Sequence, residues 1–427
     1  MMKFAKIPLY YIIVALFFIS GISLIIIGLL KTQENPQTPE TKGTITFAIY
    51  GDAEQRRIIN ETVKYFEKDN NCEAEIYCFS TMEALQKRIM SQYSVGAPFD
   101  VFYIDDYNMN QLMNKLVPLD DILIESSNAG DVFIEKALSA GKIGKTQYAL
   151  PTGVRPYCIF YNKKKLTQNQ IALPQEYMDS KKWDLKNFSS YCTAIFNKTG
   201  NPAYAISPEW QSLYGFIIGN GGKITGFNGG LTVLDEKGVE AMNTIKKLID
   251  SGAVTFLDKL QWGADSLSLF RSESVSMVAG SIEYIYELHD SVDFEWDIIP
   301  MPMISSDFSS TVIDIPKIAV SKGENEIISK QFVKFFLSSF GQKIRLEEGE
   351  RLFSSLNMAF YTSFGGVSFP NHSNFLFFMA ENGQTQPTNA YYIDNEKMII
   401  GKYKKFINKE LSIQDFIQIG PVTGGGT

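Results

Sequence analysis

The chain has 427 residues, of which 45% are hydrophobic and 20% charged. That is too long for one hydrophobic core, so at least two lobes are expected. A net charge of −7 argues against a nucleic-acid-binding surface, and two isolated histidines, His289 and His372, offer neither a His-based metal site nor a Ser-His-Asp triad.

The first element is apolar. Leu9 to Leu30 is a run of 22 residues without a charge, about 30 Å as a helix, the thickness of a bilayer core. It is longer than the roughly 7–15 residues of a signal-peptide core, and no clear A-x-A-like cleavage site follows. Lys3 and Lys6 precede it with no acidic residue, which places the N-terminus in the cytoplasm and the remainder outside the cell. Residues 1–30 therefore read as a transmembrane anchor, a cleaved signal peptide being the alternative. The stretch 31–43, "KTQENPQTPETKG", has no apolar residue to bury and reads as a flexible stalk.

Strands and helices then alternate. "GTITFAIY" has the β-branched alternation of a strand, and Ile58, Ile59, Val63 and Phe66 fall at helical spacing after it. "CEAEIYCFS" reads as a strand, and "TMEALQKRIMSQYSVG" as a helix capped by Ser80 or Thr81. "FDVFYID" is a continuous apolar strand, followed by a helix that ends near Pro118. Strands buried on both faces and separated by helices predict an α/β lobe with a mostly parallel sheet.

"TQYALPTGVRPYCIFYNKKKL" breaks this rhythm at Pro151, Gly153 and Pro156, and reads as a crossing between lobes. A largely helical stretch follows: 187–197, 207–218, 236–251 and 264–270. "VSMVAG" is a short buried strand. "WDIIPMPM" is a strand that meets Pro300 and Pro302 and reads as a second crossing. "TVIDIPKIAVS" reads as a strand returning to the first lobe. The long helix from Glu324 breaks near Ser338 to Gly341, a candidate third crossing. The tail "PVTGGGT" is expected to be disordered.

Cys72, Cys78, Cys158 and Cys192 form no C-x-x-C pair, which excludes a zinc knuckle and a thioredoxin-type motif. Cys72 and Cys78 are six apart in one predicted strand, too far to bridge each other. All four are expected to be reduced packing residues.

The order of these segments resembles a known family. "FDVFYIDDYNMNQLMNKLVPLDDIL", "GKTQYALPTGVRPYCIFYNKKKL", "GVEAMNTIKKLIDSGAV", "LFRSESVSMVAGSIEYI" and "AVSKGENEIISKQFVKFFLSSFGQKIRLEEG" are similar, in order and spacing, to motifs of the extracellular solute-binding proteins of ABC importers. The likeness is to the maltose-binding-protein-like group that takes sugars and oligosaccharides, and it covers nearly everything from Thr44 to about Leu352. The resemblance implies a type II periplasmic-binding-protein-like fold. It has two α/β lobes, three crossings, and a ligand cleft that closes by a hinge motion. Lobe 1 is then 44–153 with 303–339, and lobe 2 is 154–302 with 340–420. It further implies a non-enzymatic, monomeric protein without cofactor or metal, which hands a small carbohydrate to the permease subunits of an importer. A sensory module reporting to a membrane partner is the alternative use of the same fold.

Residues after strand C-termini and at crossings face the cleft in such folds. Sugars present apolar faces and many hydroxyls, so rings and planar polar groups suit them. The rule selects Asp52, Glu54, Asp105, Asp106, Arg155 and Tyr157; family positions add Trp210, Trp262, Glu283 and Tyr284 as ligand-binding candidates. Structural uses compete: Asp52, Asp105 and Asp106 are placed to cap helices, and Trp210 and Trp262 to fill a core. Trp183 reads as structural. The family's tryptophan after Gly-Ser is missing here, where "AGSIEYI" offers Ile282, Glu283 and Tyr284. The acidic candidates leave a cationic ligand such as a polyamine open, while Arg155 favours an acidic sugar. Asp105 and Asp106 are adjacent, so they cannot straddle a glycosidic bond at about 5–9 Å as a hydrolase requires. No cysteine precedes Cys72, which removes the lipid attachment common in this family and gives the apolar segment the anchoring role.

Overall fold

The alternating pattern builds two α/β lobes in a computed structural model of the chain. The structure describes residues 43–125, 132–224, 231–232, 234–259, 265–304, 311–352, 354–356, 363–364, 367–368, 370–385 and 390–419. The expected anchor, most of the stalk, Trp262 and the tail lie outside the described residues. Among the described residues, no helix is long and apolar enough to cross a membrane.

Lobe 1 opens with β1 (Thr44–Tyr50), α1 (Ala53–Asn70), β2 (Glu73–Phe79), α2 (Met82–Ser94), β3 (Val101–Ile104) and α3 (Asp106–Leu112). The helices start where an oxygen-bearing side chain can take a free backbone N–H. Asp52 accepts from Gln55 N at 2.8 Å, Thr81 from Ala84 N at 3.1 Å and Asp105 from Asn108 N at 2.7 Å. β1 pairs in parallel with β2 and β3, Phe47 lying opposite Ile76 and Val101. The continuous apolar character of β1 and β3 follows from burial on both faces: Ile45, Phe47, Ile49, Phe102 and Ile104 are essentially inaccessible.

The chain returns to this sheet as β4 (Ala149–Pro151), crosses at Thr152 to Val154, and enters lobe 2 as β5 (Arg155–Asn162). Lobe 2 adds α4 (Leu185–Thr199), β6 (Tyr204–Ile206), α5 (Trp210–Gly219), α6 (Glu236–Asp250), β7 (Val254–Phe256), β8 (Met277–Ser281), α7 (Glu283–His289), β9 (Trp296–Ile299) and β10 (Val312–Asp314). The chain continues with β11 (Lys317–Val320), α8 (Glu326–Leu337), α9 (Ser339–Glu347), α10 (Asn374–Asn382) and β12 (Gln384–Thr385). Lobe 1 has the order β2-β1-β3-β11-β4, and lobe 2 the order β7-β6-β8-β5-β10-β12 with β9 also on β5. Aromatic rings fill lobe 2: Phe188 meets Trp183 and Tyr204 edge-on, 5.7 and 5.6 Å between centroids. Trp183 donates its indole N–H to Pro300 O at 2.8 Å, the structural use expected of it.

Two crossings differ from expectation. Met301 and Met303 after Pro300 are buried, and Met303 N donates to Trp183 O, so "WDIIPMPM" stays with lobe 2. "TVIDIPKIAVS" is not one strand. Pro316 has no N–H to give a ladder, and the chain divides there into β10 in lobe 2 and β11 in lobe 1. The second crossing is therefore Ile315–Pro316, and it is tied to the first by Thr152 N donating to Pro316 O at 2.8 Å. Ser338 does not start a crossing either: it caps α9, accepting from Gly341 N at 3.1 Å, and α9 packs on α1 of lobe 1. The third passage comes later, and α10 packs on β5 of lobe 2.

All four cysteines are free thiols. Burial pushes the Cys158 and Cys192 thiols up, which keeps them protonated.

Candidate functional site

Where β1, β3 and β8 end and β5 begins, the two lobes border a cleft of about 340 Å³. Tyr50, Asp52, Glu54, Gln55, Ser80, Tyr103, Arg155, Glu283 and Arg351 line it. Its lobe-1 wall begins with a turn that only glycine suits. Gly51 has φ +149°, and a Cβ there would lie 2.6 Å from the Gln55 side chain.

Arg155 joins the two walls. It opens β5, opposite Asp314 of β10. Its Nη1 donates to the Tyr50 hydroxyl at 3.0 Å and to Asp314 Oδ2 at 2.9 Å, and its Nε lies 3.4 Å from Glu283 Oε1. Burial works against the guanidinium charge, but the Tyr50 hydroxyl, Asp314 and Glu283 outweigh it and hold the group protonated. Burial pushes the Tyr50 hydroxyl up and Arg155 opposes it, so Tyr50 keeps its proton. One side chain of lobe 2 thus contacts Tyr50 of lobe 1 as well as Asp314 and Glu283 of its own lobe.

The other candidates separate into three groups. Asp52, Glu54 and Glu283 join Arg155 in the cleft. Asp52 spends one oxygen on its cap. Glu54 is held by Arg57, with Nη2 at 2.9 Å, and Arg57 also reaches Glu348 at 2.6 Å; the hydrogen bond from Arg57 lowers the Glu54 carboxyl below its usual range. Glu283 accepts from Ser281 Oγ at 3.3 Å.

Asp105, Asp106, Tyr157, Trp210 and Tyr284 are not brought into this group. Asp105 caps α3 and holds the Asn108 amide. Asp106 pairs at 3.1 Å with Lys317, whose side chain is only 5% exposed. Tyr157 lies two residues beyond Arg155, about 7 Å deeper along β5, and is buried in the lobe-2 core. Trp210 is buried and stacked on Tyr214, centroids 4.8 Å apart. Tyr284 turns its ring under Gly280, where a Cβ would come within 2.3 Å of it, and its hydroxyl is 3.0 Å from Ser266 Oγ. Trp262 is outside the described residues.

Sequence reasoning missed Tyr50, Gln55, Ser80, Tyr103 and Arg351. The strand-end rule could have found Tyr50 and Ser80, which end or follow β1 and β2. Tyr103 sits inside an apolar run and Arg351 in a patternless loop, so neither carried a signal. Among the described residues, no group of His, Cys, Asp and Glu could hold a metal ion.

The arrangement can therefore bind and release a polar solute by hydrogen bonds from both walls.

Solved structures share the architecture. The GacH receptor of Streptomyces glaucescens, known unliganded and with acarbose, is 20% identical over 88% of this chain and 96% of its own, with a TM-score of 0.70. An ABC substrate-binding protein of Listeria monocytogenes in complex with cycloalternan is 17% identical, with the same coverage and TM-score. The sugar-binding protein MalE of Xanthomonas citri is 12% identical over 88% of this chain and 94% of its own, with a TM-score of 0.73. At these identities the likeness is one of fold. No curated protein sequence matches the chain. The model of the bacterial extracellular solute-binding protein family matches residues 61–354. With more than half of the chain covered by that match and the two-lobed type II fold around an interlobe cleft, the chain belongs to the bacterial extracellular solute-binding proteins, which are not enzymes.

Proposed function

We propose that the protein captures a small carbohydrate in this cleft and delivers it to the permease of an ABC importer. Arg155 carries the reading: a single residue engages Tyr50 of lobe 1 and Glu283 of lobe 2 at the floor of the cleft, so occupancy there is coupled to the relation between the lobes. The walls offer hydroxyl, carboxylate, amide and guanidinium groups, the set that pairs with sugar hydroxyls. The volume lies at the small end of ligand pockets, roughly 300–1,000 Å³, which suits a short saccharide. The sugar ligands named for the similar structures support the same class. Among the sequence-selected residues, Asp52, Glu54, Arg155 and Glu283 are the ones we assign to the site. The apolar run from Leu9 to Leu30 anchors the chain, and the stalk gives the lobes reach to the permease.

A melting screen of the detergent-extracted full-length protein against sugars, amino sugars and spermidine tests the ligand class. A solute at 100 times its Kd should add about 2.7 kcal/mol of stability. A response to spermidine alone would remove the carbohydrate reading. The N-terminal sequence of the same preparation tests the anchor; a mature start near Thr32 would remove it.

A further inference from the structure

Among the described residues, two buried donors of the cleft have no hydrogen-bond partner: the Tyr103 hydroxyl and Nε of Arg155. Buried polar groups are nearly always paired, and an exception beside a ligand cleft asks for a partner from the ligand. Tyr103 is 3% exposed and lines the cleft. Its ring packs edge-on against Phe47 at 5.6 Å and Tyr50 at 6.0 Å. Burial keeps that hydroxyl protonated. Arg155 Nε faces Glu283 Oε1 at 3.4 Å, close enough for charge attraction but not aligned for a hydrogen bond. The neighbouring Tyr50 differs, since its hydroxyl already accepts from Arg155.

We infer that the Tyr103 hydroxyl and Arg155 Nε each donate to a neutral oxygen of the solute, a hydroxyl or ring ether, and that the cleft discriminates against carboxylates and phosphates. The inference rests on the reading of this cleft as the solute site. Charge decides the class. The lining sets Asp52, Glu54 and Glu283 against Arg155 and Arg351, and Arg155 already faces two carboxylates, Asp314 at 2.9 Å and Glu283 at 3.4 Å. An anionic ligand would bring a third negative charge to it, whereas a neutral oxygen brings none. Glu283 is the loosest of the partners, at 3.4 Å and without a hydrogen bond to Arg155. An incoming oxygen replaces it without stripping Arg155 of Tyr50 or Asp314.

Full-length wild type, Tyr103→Phe and Tyr50→Phe are compared by melting without solute, and by calorimetric titration with glucose, maltose, maltotriose and glucuronate. Without solute, Tyr103→Phe is expected to melt no lower than wild type, because it deletes an unpartnered group. Tyr50→Phe is expected to melt lower, because it deletes a partnered one. With the tightest-binding neutral sugar, Tyr103→Phe is expected to raise Kd at least tenfold, and glucuronate is expected to bind more weakly than glucose. A lower solute-free melt for Tyr103→Phe, an unchanged Kd, or tighter binding of glucuronate than of glucose would each overturn the inference. An unchanged Kd in Tyr103→Phe removes only this assignment. Failure of every sugar to bind wild type removes the carbohydrate reading and the inference with it.

Discussion

Replacing Glu350 by Gln probes the passage between the lobes. Arg345 and Glu350 are an ion pair with side chains 0% and 2% exposed, Nε to Oε2 at 2.8 Å. Arg345 also donates to Phe336 O at the end of α8 and to Thr152 O of the first crossing at 3.1 Å, and its guanidinium lies 3.9 Å from the Phe336 ring. The Glu350 backbone carbonyl accepts from the Tyr286 hydroxyl of lobe 2 at 3.1 Å. One pair thus ties α8, α9, a crossing and the opposite lobe together. Removing one partner of such a pair leaves a buried charge uncompensated, a loss of about 3–5 kcal/mol. Gln keeps the shape and an acceptor, and the two carbonyls and the ring remain, so the lower end, about 3 kcal/mol, is expected. At about 2–4 °C per kcal/mol for units of this size, the melting temperature should fall by about 6–12 °C. In urea the midpoint should fall while the slope is kept. The double variant Arg345→Met/Glu350→Leu removes both charges and should recover most of the loss. A loss below about 1 kcal/mol in Glu350→Gln, or a double variant no more stable than the single, would refute the reasoning.

Two further outcomes separate packing from binding. Asp106→Ala strands the buried Lys317 ammonium; because Asp106 itself is partly exposed, about 2 kcal/mol is expected rather than the full cost of a buried pair. Asp105→Ala loses a helix cap worth about 1 kcal/mol. Urea unfolding should rank the two in that order, and neither should change solute affinity by more than the stability loss allows; a stable Asp106→Ala protein with lost binding would return Asp106 to the site. A thiol reagent such as Ellman's should react slowly with the native protein, reaching only the partly exposed Cys78, and should count four thiols after unfolding without reductant. A lower count would reveal a disulfide.

Much of the architecture was legible because it depends on local pattern. The spacing of Ile58, Ile59, Val63 and Phe66 could only bury as a helix face, and all four are buried on α1. The Thr81 and Asp52 caps were readable from residue type. The crossings were less so. Pro300 and Pro302 mark the end of β9 as a proline should, but a break in one strand says nothing about which sheet the next strand joins. That choice is made by pairing partners far away in the chain, Asp314 with Arg155 and Lys317 with Ile104.

The candidate site divides the same way. Position after a strand was enough to name Asp52 and Glu54, position at a crossing named Arg155, and the family resemblance named Glu283. Position could not distinguish Arg155 from Tyr157, which share a strand and a face but differ in depth, nor foresee that Gly280 makes room for Tyr284 to fold back into lobe 2. Tyr103 looked like one more apolar strand residue. By itself the sequence determined the alternation of elements, the burial of the strands, the helix starts and the family likeness, since each depends on residues close along the chain. Tertiary structure alone decided which polar groups share the cleft and which are spent on long-range ion pairs and cores. Those roles turn on distances between residues over a hundred positions apart, as with Arg155 and Tyr50.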